Sequence, residues 1–337
     1  WWSASSTCPT WCRRWSPGWS PGQSVLPRSR WPTRVDLLAV SPLSENFHAM
    51  AAAVLATGAR VVPVDCRADS LCLDPEDLKR ARTSASKAVL IHNPWGMPAD
   101  FQAIREVSEG LKLISDASHA HGATYRGEPL GKWADITCYS LGVQKLISGG
   151  ELGCAVTDDE ELRDRMLVRG HVNRVPSDLK TDFWQGNAVD LKMRPHALAL
   201  ILAAGQLKRF PEKVATLRDT CATIESRLVE HGFCPQSADY EYDRVWWRIV
   251  LRAPRRLSRE EVERGLRAAA VPVEPNHYEP ELQSQSIFQW PEYSGRLLSR
   301  NCPTVLEVQE TLVTLPGPVK LEGLETKEDF FLPGASD

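Results

Sequence analysis

The chain has 337 residues, of which 42% are hydrophobic and 25% are charged, an ordinary composition for a globular protein. Its formal net charge of −3 gives no electrostatic reason to expect a nucleic-acid or membrane-surface partner. The longest uninterrupted apolar run, residues 197–204, is much too short to cross a bilayer, which excludes a membrane protein. Because no basic start precedes an apolar core, we see no secretory signal and expect a cytoplasmic protein.

The nine cysteines are too sparse to form a disulfide scaffold in a chain of this length. Cys8 and Cys12 stand four residues apart, but no second Cys/His pair follows at zinc-ligand spacing, so no metal site is predicted. The other seven are scattered singly and are predicted to be buried, reduced thiols: Cys66, Cys72, Cys138, Cys154, Cys221, Cys234 and Cys302.

Residues 1–34 differ from the rest of the chain. Six of the twelve tryptophans lie there, among Ser, Pro, Arg and Gly, and no helix or strand periodicity survives the prolines. We interpret this stretch as a disordered or poorly packed lead-in. Two alternatives stay open, namely a frame-shifted or misassembled start that replaces a normal domain opening, and a functional tryptophan cluster.

From Val35 onward, predicted helices and apolar strands alternate. The predicted elements are a helix over 49–56, a strand over 59–65, a helix with N-cap Asp74 and first residue Pro75, a strand over 87–92, a helix over 98–109, and strands over 111–115, 136–139 and 154–157. Apolar strands that are separated by helices imply a mostly parallel sheet with helices on both faces. We therefore predict a large α/β domain over residues 35–190.

The last third of the chain has a different pattern. Helices are predicted over 194–209 and 211–231, with Pro211 at the joint, and a strand over 243–252. Ser258 and Glu261 have the spacing of a capping box at the start of another helix. Residues 191–337 are thus predicted to form linking helices and a smaller α+β domain.

An acidic residue closes one of the predicted strands. In open α/β sheets, ligands bind at the carboxyl ends of the strands, so Asp116 stands where a functional carboxylate would be. Taken alone, such an aspartate is more often a turn residue or a helix N-cap. His119 and His121 follow three and five positions later, and a pair at this spacing is also more often structural.

A second cluster runs from Tyr139 to Gly153. It contains Ser140, Lys145 five residues later, and then a glycine-rich turn. A single lysine is ordinarily a solvated surface residue, but the joint pattern is what a pyridoxal phosphate site requires. There the acid keeps the pyridine nitrogen protonated, and the lysine amine carries the aldehyde as a Schiff base. A hydroxyl group and backbone N–H groups hold the phosphate.

At residues 116–123, Asp-Ala-Ser-His-Ala-His-Gly-Ala, and in the cluster around Lys145, the chain resembles a family. It is similar to the fold type I pyridoxal-phosphate aminotransferases of the DegT/DnrJ/StrS type, which act on keto-sugars and keto-cyclitols. The resemblance covers roughly Val35 to the end. His119, in place of Gln, is similar to the branch that aminates inososes and to 3-amino-5-hydroxybenzoate synthases.

The resemblance implies a role for each residue of these motifs. Lys145 would form the internal aldimine with the cofactor and move protons between cofactor and substrate. Asp116 would pair with the pyridinium nitrogen, and His119 would lie against a face of the cofactor ring. Ser140 would donate a hydrogen bond to the phosphate.

Two further residues come from the same resemblance. Phe47 falls near the position of a ring-stacking aromatic residue in the family. Lys192 stands where the family has an asparagine that reaches the phosphate of the neighbouring subunit. The resemblance thus implies a homodimer, an amino donor that is glutamate or glutamine, and no nucleic-acid or membrane partner.

One part of the family pattern is missing from this chain. The Ser-Gly-Thr phosphate cradle should stand before Val35, and residues 1–34 do not provide it. Three hypotheses therefore compete: a working transaminase, a dehydratase of the same family, and a truncated chain that serves only as a folded dimer partner. The dehydratase branch has His in place of the aldimine lysine, so Lys145 argues against it. The missing cradle favours the third hypothesis and predicts weakened cofactor binding.

Overall fold

The computed structural model describes residues 36–39, 47–171, 191–274 and 286–317. The predicted lead-in over residues 1–34 lies outside the described residues, and so do residues 172–190, which lead up to the predicted domain boundary. Within the described ranges, no helix combines the length and the apolar character needed to cross a membrane.

Twelve strands lie in the described part of the chain. In order they are β1 (Asp36–Ala39), β2 (Arg60–Pro63), β3 (Ser86–His92), β4 (Lys112–Asp116), β5 (Thr124–Tyr125), β6 (Glu128–Pro129), β7 (Ile136–Ser140), β8 (Gly153–Val156), β9 (Cys234–Pro235), β10 (Tyr242–Asp243), β11 (Ile249–Arg252) and β12 (Leu312–Leu315).

Eight α-helices lie in the same ranges. They are α1 (Phe47–Ala56), α2 (Pro75–Ala81), α3 (Phe101–Val107), α4 (Glu160–His171), α5 (Ala197–Lys208), α6 (Phe210–Glu230), α7 (Arg259–Ala268) and α8 (Pro303–Thr311). Two of them, α2 and α7, begin as their sequences predict. The Asp74 side chain caps α2 by accepting the N–H groups of Glu76 and Asp77. Ser258 and Glu261 form the capping box of α7.

The central sheet has six strands in the order β2-β1-β3-β4-β7-β8. All neighbouring pairs are parallel except β7 and β8, which are antiparallel. The register pairs His92 of β3 with Asp116 of β4, and Asp116 with Cys138 of β7. The carboxyl ends of these three strands therefore meet at one edge of the sheet. The predicted mostly parallel α/β fold is confirmed.

Helices cover both faces of this sheet. Val61 and Leu90 lie in one apolar cluster with residues of α1, whereas Val62 and Val89 lie in another with residues of α2 and α3. Successive residues of a strand point to opposite faces, so the two clusters lie on opposite sides of the sheet. Full burial of each such side chain contributes about 1.5–3 kcal/mol to stability.

A second, antiparallel sheet has the order β12-β11-β9. Its core includes apolar residues from α6 and α7, namely Cys221, Ile224, Leu228, Val262 and Leu266. A small sheet of order β10-β5-β6 joins this part of the chain to the hairpin after β4.

Two of the predicted elements that are shorter in the structure have a clear physical reason. The helix predicted over 98–109 is α3, Phe101–Val107, because the Asp100 carboxylate accepts the N–H of Ala103 and caps the helix there. The strand predicted over 243–252 is interrupted, since Asp243 ends β10 and only Ile249–Arg252 form β11. The N–H groups of Val245 and Trp247 donate instead to the carbonyl oxygens of Gly96 and Trp95, both at 3.2 Å, outside any sheet.

The cysteine prediction was wrong for two residues. Cys66, Cys72 and Cys221 are buried as predicted and Cys138 and Cys302 are partly buried, but Cys154 and Cys234 are exposed. Cys154 lies on β8, whose four residues are all exposed, and Cys234 lies on β9, an edge strand of the second, antiparallel sheet. Burial raises the pKa of the Cys72 thiol to about 12, so this cysteine stays protonated.

Candidate active site

The predicted acid and hydroxyl lie at the same edge of the central sheet. Asp116 is the last residue of β4 and Ser140 is the last residue of β7, the neighbouring strand. The Asp116 carboxylate accepts the backbone N–H of Ser118 at 2.9 Å. The Ser118 hydroxyl in turn accepts the N–H of Ser140 at 3.1 Å, which ties the two strand ends together.

His119 is completely buried next to this edge. Its Nδ1 accepts the backbone N–H of Trp95 at 3.4 Å, and its ring meets that of His92 edge-on at 5.2 Å. One face of the ring is covered by Trp247, with ring centroids 3.6 Å apart and planes 12° apart. The ring predicted to lie against a cofactor is therefore stacked on an indole of its own chain.

His121 supports the end of β7. Its Nε2 lies 2.9 Å from the carbonyl oxygen of Ser140, and its ring packs against Tyr139 at 5.4 Å. The geometry requires a protonated Nε2, since a carbonyl oxygen only accepts hydrogen bonds. His121 is a positioning residue for the strand end that carries Ser140.

Lys145 follows β7 on a loop that is held by hydrogen bonds from residues far away in the sequence. Gln206 of α5 accepts the N–H of Ser148 at 3.1 Å and donates to its carbonyl oxygen at 2.6 Å. Lys213 of α6 donates to the carbonyl oxygen of Leu146 at 2.7 Å. Gly149 allows the loop to approach α5, because a Cβ there would lie 2.7 Å from the Ala199 carbonyl oxygen. Two helices thus hold the part of the loop that directly follows Lys145.

The Lys145 side chain is half-buried and faces the same edge as Asp116. Its Nζ lies 4.3 Å from the centre of the Trp247 ring, a cation–π contact. The ammonium group also lowers the pKa of His92 and His121, whereas the Asp116 carboxylate raises it. Asp116 and Lys145 therefore both lie near His92 and His121.

Burial is the main electrostatic influence on the histidines. It lowers the pKa of both His92 and His121 to about 4 and holds the pKa of His119 well below its ordinary value. All three imidazoles are consequently neutral at pH 7.

Two predicted site residues are not brought to this edge by the described contacts. Phe47 is the first residue of α1, but its side chain lies outside what the structure describes. Lys192 is exposed, with a positive φ of 47°. Its neighbours Leu191 and Met193 donate backbone hydrogen bonds to residues of α4.

The sequence interpretation missed several residues of the site. His92 ends β3 as Asp116 ends β4, so its strand-end position was a usable signal. Trp247 gives no such signal, since in the sequence it is one apolar residue of a predicted strand. Gln206 and Lys213 lie about 60 residues after the loop they hold, and nothing local reports that contact. No cluster of three or more potential metal ligands occurs among the described residues.

Known proteins resemble the chain in sequence and in fold. An L-glutamine:2-deoxy-scyllo-inosose aminotransferase from Streptoalloteichus tenebrarius is 30% identical over 200 residues, which are 57% of this chain and 47% of that relative. The crystal structure of 3-amino-5-hydroxybenzoic acid synthase has a TM-score of 0.73 and 26% identity, covering 89% of this chain and 78% of the other.

A third comparison concerns the fold alone. The GDP-4-keto-6-deoxy-D-mannose-3-dehydratase of E. coli, solved with bound hydrated PLP, has a TM-score of 0.71 at 21% identity and covers 87% of this chain and 78% of its own. The chain spans about half the length of the first two sequence relatives. Residues 40–328 match the DegT/DnrJ/EryC1/StrS aminotransferase family. The chain belongs to this family of pyridoxal-phosphate-dependent enzymes.

Proposed function

We propose that this chain is an aminotransferase that moves an amino group from glutamine or glutamate to a keto-cyclitol or keto-sugar, with pyridoxal phosphate attached at Lys145. The observation that carries the proposal is the meeting of Asp116, Ser140 and the Lys145 loop at one sheet edge. The names of the relatives, which include a glutamine-dependent inosose aminotransferase, support the choice of donor and acceptor.

The donor set at this edge fits the cofactor. When bound, pyridoxal phosphate supplies an electron sink that stabilises negative charge on a substrate carbon. The Asp116 carboxylate would hold a proton on the pyridine nitrogen, because an anion stabilises the pyridinium form. The Ser140 hydroxyl would donate to the phosphate, and the Lys145 amine would attach the aldehyde.

Lys145 is also the base and acid of the proposed reaction. A side-chain amine on a loop clamped by Gln206 and Lys213 stays within reach of a fixed point at the sheet edge. It could then take a proton from a substrate carbon and deliver it to a carbon of the cofactor. The neutral histidines add no competing positive charge, so the Asp116 carboxylate remains available to the cofactor nitrogen.

The presence of Lys145 favours amino transfer over a dehydratase function. The dehydratase branch has His at the position of Lys145, and an imidazole cannot form the covalent link to the aldehyde. Two structural neighbours are dehydratases, but at 21% identity they support the fold alone. Amino transfer therefore remains the proposed reaction.

Trapping with borohydride tests the proposal. The protein is incubated with pyridoxal phosphate, reduced, digested and mapped, and we expect the label on Lys145. Lys145→Ala should lose both the label and several orders of magnitude of amino transfer. Lys132→Ala is the matched control, because Lys132 is a surface lysine whose Nζ lies 3.4 Å from Asp158.

The outcomes separate the competing hypotheses. Amino transfer from glutamine or glutamate to a keto-cyclitol or keto-sugar, lost in Lys145→Ala and kept in Lys132→Ala, supports the aminotransferase. A label on another lysine contradicts the Lys145 assignment. A folded protein that binds no cofactor favours the truncated dimer partner.

We also propose that two copies associate through α5. Its exposed apolar side chains, which are 47–66% accessible, form a continuous face with no charged residue before Lys208: Leu198, Leu200, Ile201, Leu202 and Leu207. Exposed apolar surface of this extent on one helix marks an interaction site. Lys192, just before this helix, would then reach the phosphate bound by the partner subunit.

Light scattering at micromolar concentration tests the association. The wild-type chain should have the mass of a dimer, and Ile201→Glu should shift it to a monomer because a charge would be buried at the interface. Glu212→Lys on the exposed surface of α6 is the control for a change of charge alone. A wild-type monomer would contradict the proposed dimer.

A further inference from the structure

Trp247 has the neighbours that the proposed cofactor ring would have. Its indole covers one face of His119, with centroids 3.6 Å apart, and the Lys145 Nζ lies 4.3 Å from its centre. A planar ring stacked on His119 and facing the Lys145 amine is also what the proposed site requires of pyridoxal phosphate. The same imidazole face cannot hold both rings.

Two hydrogen bonds hold Trp247 in the site. The indole Nε1–H donates to the carbonyl oxygen of Gln144, the residue before Lys145, at 2.8 Å. The backbone N–H of Trp247 donates to the carbonyl oxygen of Trp95 at 3.2 Å. Gly96 makes this approach possible, because a Cβ there would collide with the Val245 carbonyl oxygen and its φ is +101°.

The segment that carries Trp247 lies outside the sheets. Residues 244–248 connect β10 to β11 and are in neither strand, so their backbone is not held by a regular ladder. All five residues are buried, but a movement of this segment would break no hydrogen bond of a sheet. Displacement of Trp247 would cost two backbone hydrogen bonds to residues 95 and 96, the Gln144 bond and the ring contacts.

We propose that Trp247 competes with the cofactor ring for the face of His119, so that pyridoxal phosphate binding displaces the indole. The inference rests on the proposed function, since it takes Lys145 as the attachment point. Competition of this kind weakens apparent affinity by the fraction of molecules in which the site is open. Removal of the competing ring should therefore strengthen cofactor binding.

The opposite role makes the opposite prediction. If Trp247 only supported His119 from behind, its loss would loosen His119 and weaken binding. The sign of the change in cofactor affinity thus separates a competing ring from a supporting one.

The neighbouring tryptophan, Trp246, provides a control variant. Trp246 is also buried, but its Nε1–H donates to Glu225 at 3.0 Å and it belongs to the apolar cluster of the second sheet. Trp247→Leu should bind pyridoxal phosphate about tenfold more tightly than the wild type, equivalent to about 1.4 kcal/mol. Trp246→Phe should stay within about twofold. Unchanged or weaker binding in a folded Trp247→Leu protein would overturn the proposal.

A second measurement uses the wild-type chain and does not depend on a variant's stability. Hydrogen–deuterium exchange with and without pyridoxal phosphate reports on the N–H groups of Val245 and Trp247. We expect faster exchange with the cofactor, because these groups leave Gly96 and Trp95. Equal or slower exchange would overturn the displacement.

The mapped label keeps the two proposals distinguishable. If borohydride labels Lys145 but affinity and exchange do not respond as stated, only the role of Trp247 is wrong. If Lys145 is not labelled in wild type or variant, the proposed function fails, and the competition fails with it.

Discussion

Two aspartates stand at the carboxyl ends of strands in the same parallel sheet, yet their surroundings differ. Asp65, just after β2, is buried, and its carboxylate accepts the N–H groups of Cys66, Thr304 and Val305 at 2.9–3.1 Å. Asp116, at the end of β4, is half-buried. Within the described part of the chain, its carboxylate accepts the single N–H of Ser118.

The difference separates a structural carboxylate from a candidate functional one. Asp65 caps α8 from a distance of 240 residues, and its oxygens are used by backbone donors. Asp116 keeps acceptor capacity at an edge where Lys145 and three neutral histidines gather. Residue type and strand-end position are the same in both cases. The partners brought by the rest of the fold decide which carboxylate can serve chemistry.

The largest expected effect is on catalysis at Asp116. Asp116→Asn should reduce amino transfer about a thousandfold, or about 4 kcal/mol of transition-state stabilisation, because a neutral amide no longer keeps the pyridine nitrogen protonated. The thermal midpoint should change little. Steady-state kinetics and thermal unfolding measure the two quantities, and activity within a few-fold of wild type would refute the role.

Asp65→Asn should show the reverse pattern. It replaces charge-assisted bonds to buried N–H groups, so we expect a loss of about 3 kcal/mol in unfolding free energy after allowance for non-additivity. Turnover per folded molecule should stay close to wild type. Urea denaturation with an active-site titration checks both. A stable but inactive variant would contradict the structural role of Asp65.

Lowering the pH should reduce the free energy of unfolding, because the buried histidines around Asp116 are neutral in the folded protein. Burial holds the pKa of His121 at about 4, below the ordinary value of 6.5, so the unfolded chain takes up a proton first as pH falls. The contribution of each such histidine to the free energy of unfolding is fully present above pH 6.5. It is lost between pH 6.5 and 4, by about 1.4 kcal/mol per pH unit. His121→Asn should flatten the slope by that amount. An unchanged slope in urea titrations would show that His121 is not held neutral.

The smallest expected effect concerns the clamp on the Lys145 loop. Gln206→Leu removes two hydrogen bonds to Ser148 and should lower turnover about tenfold, with a smaller change in the affinity for pyridoxal phosphate. Gln206→Glu keeps the acceptor and should lose less. Thr216→Ala, on the exposed side of α6, is the control for a helix-surface change. Equal kinetics for Gln206→Leu and wild type would mean that the loop needs no clamp.

Local patterns predicted most of the elements because their causes are local. Asp74 and Pro75 start α2, and Ser258 and Glu261 start α7, through contacts within four residues. Uninterrupted apolar strands between helices predicted the parallel sheet, since both faces must be covered. The positions of Asp116, Ser140 and Lys145 followed from strand ends and from the family motifs.

Contacts between distant segments decided the rest. The stretch 244–248 has the composition of a strand, but its N–H groups meet Trp95 and Gly96 across about 150 residues, so it leaves the ladder. For the same reason Trp247 reaches His119, and Gln206 reaches Ser148. The sequence by itself determined which strand ends carry chemical groups, because periodicity and capping are local. Only the tertiary structure decided which of those groups are saturated, as Asp65 is, and which face a site, because that depends on where remote backbone donors and rings come to lie.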